Sequence, residues 1–350
     1  MAEERTVVIT GASRGLGFAS AVRLYNEGWR VVAAMRSPDQ GVALLRDATG
    51  AGHDDGRLVG VCLDLMNEES IAAAAEQIEA LVGAPHALVH NAGIASIGMA
   101  EELDRDLWSS MLATHLTGPV ALTKALLPVM RAAGRGRIVL VSSAGGVRGQ
   151  PGIAAYSAAK GALERWGESL ATEISPFGLG VTVLVAGAYD TDIIDDRAPG
   201  YPDYRIWDGP YSRIHHNMDV RGHFAMRFAR PPARFTDGLV KALNDRAPFR
   251  RRSAGPDAAM LMVFNRVLPA AAMHHMARAA MGIPRQGALR GGAPQLAAPQ
   301  RLMVRAMGSL PSPVMKRLIV LATWLAPNRS SSPSAASGLR QQVQCTERQG

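Results

Sequence analysis

The sequence predicts an α/β fold: one doubly wound parallel sheet with helices on both faces, followed by a helical extension within the same domain. Two observations support this prediction. Short β-branched and apolar runs, typical of strands buried on both faces, alternate with helical patterns from the N-terminus to about residue 185. Hydrophobic residues make up 47% of the 350 residues, which is ample for one large core.

These patterns place the individual elements. Strands are expected near 5–10, 30–34, 57–63, 86–90, 135–142 and 179–185, with a seventh near 249–253. Helices are expected near 15–27, 68–82, 104–131 and 154–174. Further along, the sequence predicts a proline-started helix over 230–244 and an apolar helix over 259–268.

A glycine-rich turn follows the first strand directly. Residues 10–17 read T-G-A-S-R-G-L-G and open a helical pattern. Backbone N–H groups at such a helix N-terminus can hold a pyrophosphate, and a Cβ on the glycines would block its close approach. The turn therefore predicts a pyrophosphate site, with Gly11, Ser13, Arg14, Gly15, Leu16 and Gly17 as candidate contacts.

A second pattern concerns Tyr156 and Lys160, which lie four residues apart on a predicted helix. Residues i and i+4 share one helix face, so the phenol and the ammonium can point into the same cleft. A neighbouring cation favours the phenolate of a tyrosine, whose ordinary pKa is about 10. The pair therefore suits proton transfer to or from an alcohol or carbonyl oxygen. Ser143 precedes Tyr156 by thirteen residues, just after an apolar run.

The spacing T-G-x-x-x-G-x-G, together with Ser143, Tyr156 and Lys160, resembles the short-chain dehydrogenase/reductase family from about residue 6 to about residue 282. The resemblance implies a Rossmann-type sheet and an NAD(P)-dependent oxidoreductase acting on CH–OH donors. It implies that Tyr156 gives or takes a proton, and that Lys160 lowers the pKa of Tyr156 and bonds the nicotinamide ribose. Ser143 would hold the substrate oxygen.

Further residues match family motifs one at a time. Asp64, after the third strand, resembles the family aspartate that contacts the adenine ring. Gly187 and Thr191 fall where the family has a P-G-x-x-x-T segment near the nicotinamide. The family N-A-G element, which supports the sheet beside the cofactor, corresponds to Asn91, Ala92 and Gly93.

Two positions depart from the family pattern. Ala186 replaces the proline before Gly187, and His115 replaces an asparagine that usually holds a water of the proton relay. An imidazole could itself shuttle protons, so His115 joins the candidate catalytic residues. These departures leave an alternative open: a nucleotide-binding regulator of the same fold with little turnover.

The choice of cofactor depends on the residues that meet the adenosine ribose. An acidic side chain at the end of the second strand would favour NAD, but Met35 occupies that position and Arg36 follows it. With Arg14 in the glycine turn, two guanidinium groups could bracket a 2′-phosphate. The sequence therefore favours NADP over NAD.

The expected domain spans residues 1–283. In the family that the sequence resembles, the equivalent of residues 188–230, called here the lid segment, folds over the substrate. A mobile surface loop with no substrate role is the open alternative. Residues 231–283 resemble the branch of the family that includes hydroxysteroid and retinol dehydrogenases, in which this region helps to build an apolar pocket. The resemblance therefore implies a bulky, lipophilic alcohol or carbonyl substrate, and a homodimer or homotetramer, since related enzymes commonly assemble in this way.

The charge of the chain is unevenly distributed. Residues 1–229 carry 20 Lys+Arg against 26 Asp+Glu, whereas residues 230–350 carry 18 against 4. Residues 284–350 are expected to form a basic, partly disordered tail. Within this tail, the amphipathic run 301–326 could lie on an anionic membrane surface, or it could pack on the enzyme or on a second subunit.

Several other functions are not favoured. Two cysteines make no disulfide framework, which fits a reducing compartment, and we expect a cytoplasmic protein. The pairs His215-His216 and His274-His275 lack partners at ligand spacing, so no metal site is expected. Residues 250–252 are three arginines without a recognisable nucleic-acid-binding fold, so a solvated basic face is expected rather than a nucleic-acid partner.

Overall fold

The computed structural model describes residues 4–194 and 203–290. Its centre is a seven-stranded sheet in the order β3-β2-β1-β4-β5-β6-β7, and every neighbouring pair is parallel. The strands are Thr6–Thr10 (β1), Arg30–Met35 (β2), Leu58–Cys62 (β3), Ala87–His90 (β4), Gly136–Ser143 (β5), Leu179–Ala186 (β6) and Phe249–Ala254 (β7). The chain divides into one compact unit over Met1–Arg285 and a second from Gln286 onward. The elements described here lie in the first unit.

The helices connect these strands and continue after the sixth. They are Gly15–Asn26 (α1), Pro38–Thr49 (α2), Glu68–Val82 (α3), Arg105–Leu112 (α4), Gly118–Ala132 (α5), Ala144–Val147 (α6), Ala154–Ile174 (α7), Ser212–Met226 (α8), Ala233–Leu243 (α9), Pro256–Val267 (α10) and Ala270–Ala280 (α11).

The sheet is covered on both faces, because successive side chains of a strand point to opposite sides. In β1, Val8 packs into a core with residues of α3, α5 and α7, whereas Val7 and Ile9 pack into a core with α1, α2 and α9. All five residues of β1 are buried. The predicted doubly wound α/β fold, with its C-terminal helices in the same domain, is confirmed, and so are all seven predicted strands.

The predicted helix over 104–131 is divided in the structure. α4 ends at Leu112, and Ala113–Thr117 form a π-helical turn before α5 begins at Gly118. A Cβ on Gly118 would lie 2.4 Å from the Leu65 carbonyl oxygen, so this part of the chain packs directly on the backbone after β3. Such turns are frequent at functional sites, and this one contains His115.

Four helices have no counterpart among the sequence predictions: α2, α6, α8 and α11, of which α6 is a single turn of four residues. In α2 only Gly41, Val42 and Leu45 are buried, too few to give a clear periodic signal. α8 lies within the lid segment and buries three residues, and α11 buries only Met273.

The arginines of β7 do not all lie on the solvated face that the sequence predicted. Arg251 donates to the buried carboxylate of Glu164, and Arg252 donates to Asp245 through both Nε and Nη2. Arg250 is exposed. The expectation was wrong for Arg251, whose acidic partner lies on α7, whereas the Arg252 side chain remains 39% exposed beside Asp245 in the loop before β7.

The tail lies largely outside the described residues, including the amphipathic run 301–326 and Cys345. Within the described part of the chain, no helix is long and apolar enough to cross a membrane.

Candidate active site

The glycine turn between β1 and α1 forms a cradle for an anion. Gly11 and Gly15 have φ values of +68° and +57°, which favour glycine. A Cβ on Gly17 would lie only 2.2 Å from the Gly11 carbonyl oxygen. No side chain caps α1, and its first turn contains no acidic residue, so its first N–H groups can bind a phosphate. These residues fit the pyrophosphate of a dinucleotide.

Asn91 fixes the shape of this cradle from the end of β4. Its side-chain nitrogen donates to the carbonyl oxygens of Thr10 at 3.0 Å and Gly11 at 3.2 Å. The Thr10 hydroxyl in turn accepts from the backbone N–H groups of Asn91 and Ala92, both at 3.1 Å. Asn91 therefore ties the turn to the centre of the sheet.

A cleft of about 270 Å³ opens at the carboxyl ends of the strands, beside the cradle. Ligands of open α/β sheets bind at this edge. Of the residues selected from the sequence, only Gly17 and His115 do not line the cleft. Those that do are Gly11, Ser13, Arg14, Gly15, Leu16, Arg36, Asp64, Asn91, Ala92, Gly93, Ser143, Tyr156, Lys160, Gly187 and Thr191.

The end of β5 and the first turns of α7 bring Ser143, Tyr156 and Lys160 together in this cleft. The Ser143 side chain lies close enough to Tyr156 to act on the pKa of its phenol. Lys160 donates from Nζ to the Val141 carbonyl oxygen at 2.7 Å, and this Nζ lies 5.9 Å from the centroid of the Tyr156 ring. Lys160 is only 4% exposed, so its ammonium is largely shielded from water.

Burial dominates the titration of this pair. It raises the pKa of Tyr156, and the hydrogen bond from Ser143 opposes the rise. This direction is opposite to the one expected from a neighbouring cation. Burial also lowers the pKa of Lys160 to about 7, against the attraction of the Glu164 carboxylate. The charge of Lys160 is therefore sensitive to its surroundings near neutral pH.

His115 lies against Tyr156, with ring centroids 5.2 Å apart and the planes nearly perpendicular. Its Nε2 is 2.7 Å from the Ile94 carbonyl oxygen, a distance at which an N–H on Nε2 donates. Its Nδ1 is buried and has no hydrogen-bond partner among the described residues. Burial, with the nearby Lys160 charge, holds the pKa of His115 well below its ordinary value. The ring is thus neutral at pH 7 and keeps an acceptor beside Tyr156.

The lid segment is anchored by a contact that the sequence did not indicate. His215 on α8 and Glu102, before α4, are both buried, and the His215 Nε2 lies 2.8 Å from Oε1 of Glu102. Glu102 also accepts from the backbone N–H groups of Met99 at 2.7 Å and Ile206 at 3.1 Å. The two partners are 113 residues apart in the chain, so no local motif could reveal them.

An apolar cluster borders Tyr156 beneath the lid segment. Its buried members are Leu107, Met111, Ala155 and Ala159. Tyr204 of the lid segment and Ile94 pack on this cluster, as does Tyr156 itself. The cleft therefore has an apolar wall beside Tyr156.

Two arginines lie at the rim of the cleft. Arg36 is exposed there, directly after the buried Met35 at the end of β2. Arg14 lies on the same cleft, 3.7 Å from an Asp192 oxygen across it, and both side chains are largely exposed. Asp64 accepts from the backbone N–H of Met66 at 2.9 Å, which fixes its carboxylate at the cleft edge.

Comparison with known proteins agrees with this architecture. A sequence model of the family described as short chain dehydrogenase matches residues 5–201. This match covers more than half of the 350 residues. The chain therefore belongs to the short-chain dehydrogenase family and is an NAD(P)-dependent oxidoreductase that acts on CH–OH donors.

Three relatives illustrate the range of the family. Oxidoreductase BOA17 of Botryotinia fuckeliana is 32% identical over 71% of this chain and 88% of its own length. A 3-ketodihydrosphingosine reductase of Bacteroides thetaiotaomicron is 34% identical over 56% of this chain and 68% of its own. Human 17-beta-hydroxysteroid dehydrogenase type 1 is 35% identical over 57% of this chain and 61% of its own length.

Solved structures of dehydrogenases share the fold of this chain. A short-chain dehydrogenase from Streptomyces avermitilis matches with a TM-score of 0.67 and 29% identity, over 81% of this chain and 100% of that one. A second match is a structure described as a putative NAD(P)-dependent gluconate 5-dehydrogenase from Beutenbergia cavernae, with bound NADP. Its TM-score is 0.58 and its identity 27%, over 71% of this chain and 94% of that one.

Proposed function

We propose that this protein interconverts an alcohol and its ketone or aldehyde, using NADP and a bulky, lipophilic substrate. The observation that carries the proposal is the meeting of Ser143, Tyr156 and Lys160 in the cleft that the glycine cradle opens. A proton donor, an ammonium and a dinucleotide cradle in one cleft are what hydride exchange with a carbonyl carbon requires.

Each polar residue has a separate task in this proposal. Tyr156 gives a proton to the carbonyl oxygen or takes it from the alcohol, and Ser143 holds that oxygen by a hydrogen bond. Lys160 bonds the nicotinamide ribose and stabilises charge on the Tyr156 oxygen. The neutral His115 offers Nδ1 as a relay acceptor behind Tyr156. The nicotinamide supplies or accepts the hydride when it is bound.

The charges at the rim support NADP as the preferred cofactor. No acidic residue follows β2 directly, and Arg36 and Arg14 both line the adenosine end of the cleft. Guanidinium groups can hold a 2′-phosphate bidentately. Asp192 is an internal competitor for Arg14, which leaves Arg36 as the main phosphate contact.

The apolar wall beside Tyr156 supports a lipophilic substrate. The cluster around Leu107 and Met111 offers hydrocarbon surface next to the reacting groups. Two of the relatives described above are named for 3-ketodihydrosphingosine and for a 17-beta-hydroxysteroid. We propose that the lid segment and the helices after residue 231 close over such a molecule.

The first test replaces Tyr156 by phenylalanine. This change removes the proton donor but keeps the ring, so we expect turnover to fall about a thousandfold with NADPH affinity little changed. Turnover is measured as NADPH oxidation over a panel of lipophilic ketones and aldehydes, and affinity by NADPH fluorescence. Wild-type turnover in Tyr156→Phe would contradict the assignment. Tight NADPH binding without turnover on any substrate would favour the alternative, a nucleotide-binding regulator.

The cofactor proposal is tested with Arg36→Ala. Loss of one charge-assisted contact should raise the Kd for NADPH about tenfold and leave the Kd for NADH nearly unchanged. Arg30→Ala is the matched control, because Arg30 bonds the Gly56 carbonyl oxygen rather than lining the cleft. Equal effects of Arg36→Ala on the two cofactors would argue against a 2′-phosphate contact.

Assembly and location remain predictions. We propose a homodimer or homotetramer in the cytoplasm, with any peripheral membrane contact through residues 301–326, and with no nucleic acid as partner.

A further inference from the structure

A buried carboxylate lies one helical turn beyond Lys160. Glu164 is 1% exposed and lies at position i+4 from Lys160 on α7. Its Oε1 accepts from the Ser142 hydroxyl at 2.6 Å, and its Oε2 accepts from Nη2 of Arg251. A buried ion costs free energy unless it is paired and hydrogen-bonded, and Glu164 is both.

Arg251 reaches this carboxylate from β7, at the edge of the sheet. The side chain of Arg251 is 26% exposed, so the pair joins the protein surface to the interior. Ser142 is the strand neighbour of Ser143. A Cβ on Gly146 would lie 2.5 Å from the Ser142 oxygen and 3.0 Å from Oε1 of Glu164, so the α6 backbone packs directly on these groups. The positions of both side chains are therefore tightly fixed.

The charges around Lys160 are few. Its neighbours include His90 on β4, His115 in the π-helical turn and Tyr156 on its own helix, and both histidines have pKa values lowered by burial and by the Lys160 charge. Both rings are therefore neutral at pH 7. The carboxylate that attracts Lys160 is Glu164.

Two cations face Glu164 in turn. Arg251 donates to it directly, and Arg165 lies 3.9 Å from Oε2 but is largely exposed to water. Because a solvated charge at that distance interacts weakly, Arg251 is the main partner. Glu164 thus lies between two cations, Lys160 on its own helix and Arg251 on β7.

We propose that Glu164 is a positioning residue that keeps Lys160 protonated, and that Arg251 sets how strongly the Glu164 carboxylate attracts the Lys160 ammonium. The pair would thereby set the pH range in which Lys160 can support Tyr156. The effect on turnover rests on the proposed function, whereas the effect on Lys160 is a property of the protein alone and can be measured separately.

The chain has only four lysines, which makes a direct measurement practical: Lys124, Lys160, Lys241 and Lys316. Full-length protein labelled with ¹³C at the lysine ε-carbons gives four signals, and Lys160→Met identifies the one from Lys160. In the wild type its titration midpoint should lie at about 7. Glu164→Gln keeps the shape and a hydrogen bond to Ser142 but removes the charge, so the midpoint should fall by about one pH unit.

Arg251→Met should move the Lys160 midpoint in the opposite direction, upward by about one pH unit, because it leaves the Glu164 charge unbalanced. Arg251→Lys should restore a midpoint near that of the wild type. Arg250→Met is the matched control, because Arg250 is the exposed preceding residue of the same strand. If Arg251→Met does not fold, the double variant Glu164→Gln/Arg251→Met, which removes both members of the Glu164–Arg251 ion pair, should reproduce the lower midpoint of Glu164→Gln.

A midpoint unchanged in Glu164→Gln overturns the proposal. Shifts of equal sign in Glu164→Gln and Arg251→Met also overturn it, because they would report general loosening rather than charge. In an active enzyme, the alkaline limit of ketone reduction should move with the midpoint in each variant. Opposite midpoint shifts in a protein without turnover would sustain this inference while defeating the proposed function. Turnover that depends on Tyr156, combined with no shift of the Lys160 midpoint in the variants, would support the proposed function and overturn this inference.

Discussion

The glycine cradle and the described part of the lid segment hold their shapes by different means. In the cradle, backbone groups lie so close that side chains are excluded, as at Gly17 beside the Gly11 carbonyl. In the described part of the lid segment, side chains make the contacts: Arg205 pairs with Asp203 at 2.7 Å and with Asp219 at 3.0 Å. The cradle is therefore fixed by steric exclusion, and the lid by pairs of polar groups.

This difference predicts how the two regions respond to change. Close backbone packing cannot yield without moving the strand and helix on either side of it. Polar pairs can separate at a modest net cost, because water replaces the lost partners. We therefore expect a rigid cofactor site and a lid segment that opens locally while the sheet stays intact.

The largest expected effect comes from the cradle. In Gly17→Ala the new methyl group would lie 2.2 Å from the Gly11 carbonyl oxygen and 2.5 Å from the Asn91 amide nitrogen. We expect a loss of about 3 kcal/mol in the free energy of unfolding and at least about a hundredfold weaker NADPH binding. Denaturant unfolding and NADPH fluorescence measure the two effects.

The control for this variant lies in the lid segment. Gly222 on α8 has open space at the position of its missing Cβ, and alanine is the better helix former. Gly222→Ala should therefore keep NADPH affinity and unfold at the same or a slightly higher denaturant concentration. Normal NADPH binding by Gly17→Ala would show that the cradle is not sterically fixed.

The same contrast explains what could be predicted from the sequence. Five of the seven strands, β1, β2, β4, β5 and β6, are short runs whose burial shows in their apolar composition, and the cradle follows from glycines within eight residues. The catalytic candidates Tyr156 and Lys160 share one helical turn. These are local patterns, so each of these features can be predicted from one short segment of the sequence.

The features that sequence reasoning missed depend on distant partners. Glu164 and Arg251 are separated by 87 residues, and nothing near either marks the other as its counter-ion. The π-helical turn around His115 depends on packing against the backbone after β3, which periodicity cannot register. The order of the strands in the sheet and the packing of the helices on it have to be known before such contacts can be assigned.

An intermediate effect is expected at the anchor of the lid segment. Glu102→Ala removes the acceptor for His215 and for two backbone N–H groups, so the closed position of the lid segment should lose a few kcal/mol. We expect the KM for substrate to rise about tenfold while the Kd for NADPH stays within about twofold. Glu101→Ala serves as the control, because Glu101 accepts one exposed hydrogen bond, from Tyr211. An equal rise in the KM for substrate and in the Kd for NADPH would mean that the lid segment and the cradle are structurally coupled.

The smallest effect is the response of this anchor to acid. Burial alone would raise the pKa of Glu102, but hydrogen bonds from His215 and from the Met99 and Ile206 N–H groups hold it below its ordinary value of 4.5. The carboxylate therefore stabilises the closed lid above about pH 4.5, and this contribution is lost as the pH falls through the lowered pKa.

Hydrogen exchange, corrected for the intrinsic pH dependence of the rate, measures this loss. Peptides from residues 203–226 should lose protection a few-fold more than peptides from residues 6–26 as the pH is lowered from 6 to 4, since the cradle contains no comparable carboxylate anchor. In Glu102→Gln the side chain has no charge to lose, so the extra response of the lid segment should disappear. An equal response of both regions in the wild type would place the acid sensitivity in global stability, and the distinction between a sterically fixed cradle and a polar-anchored lid would no longer hold.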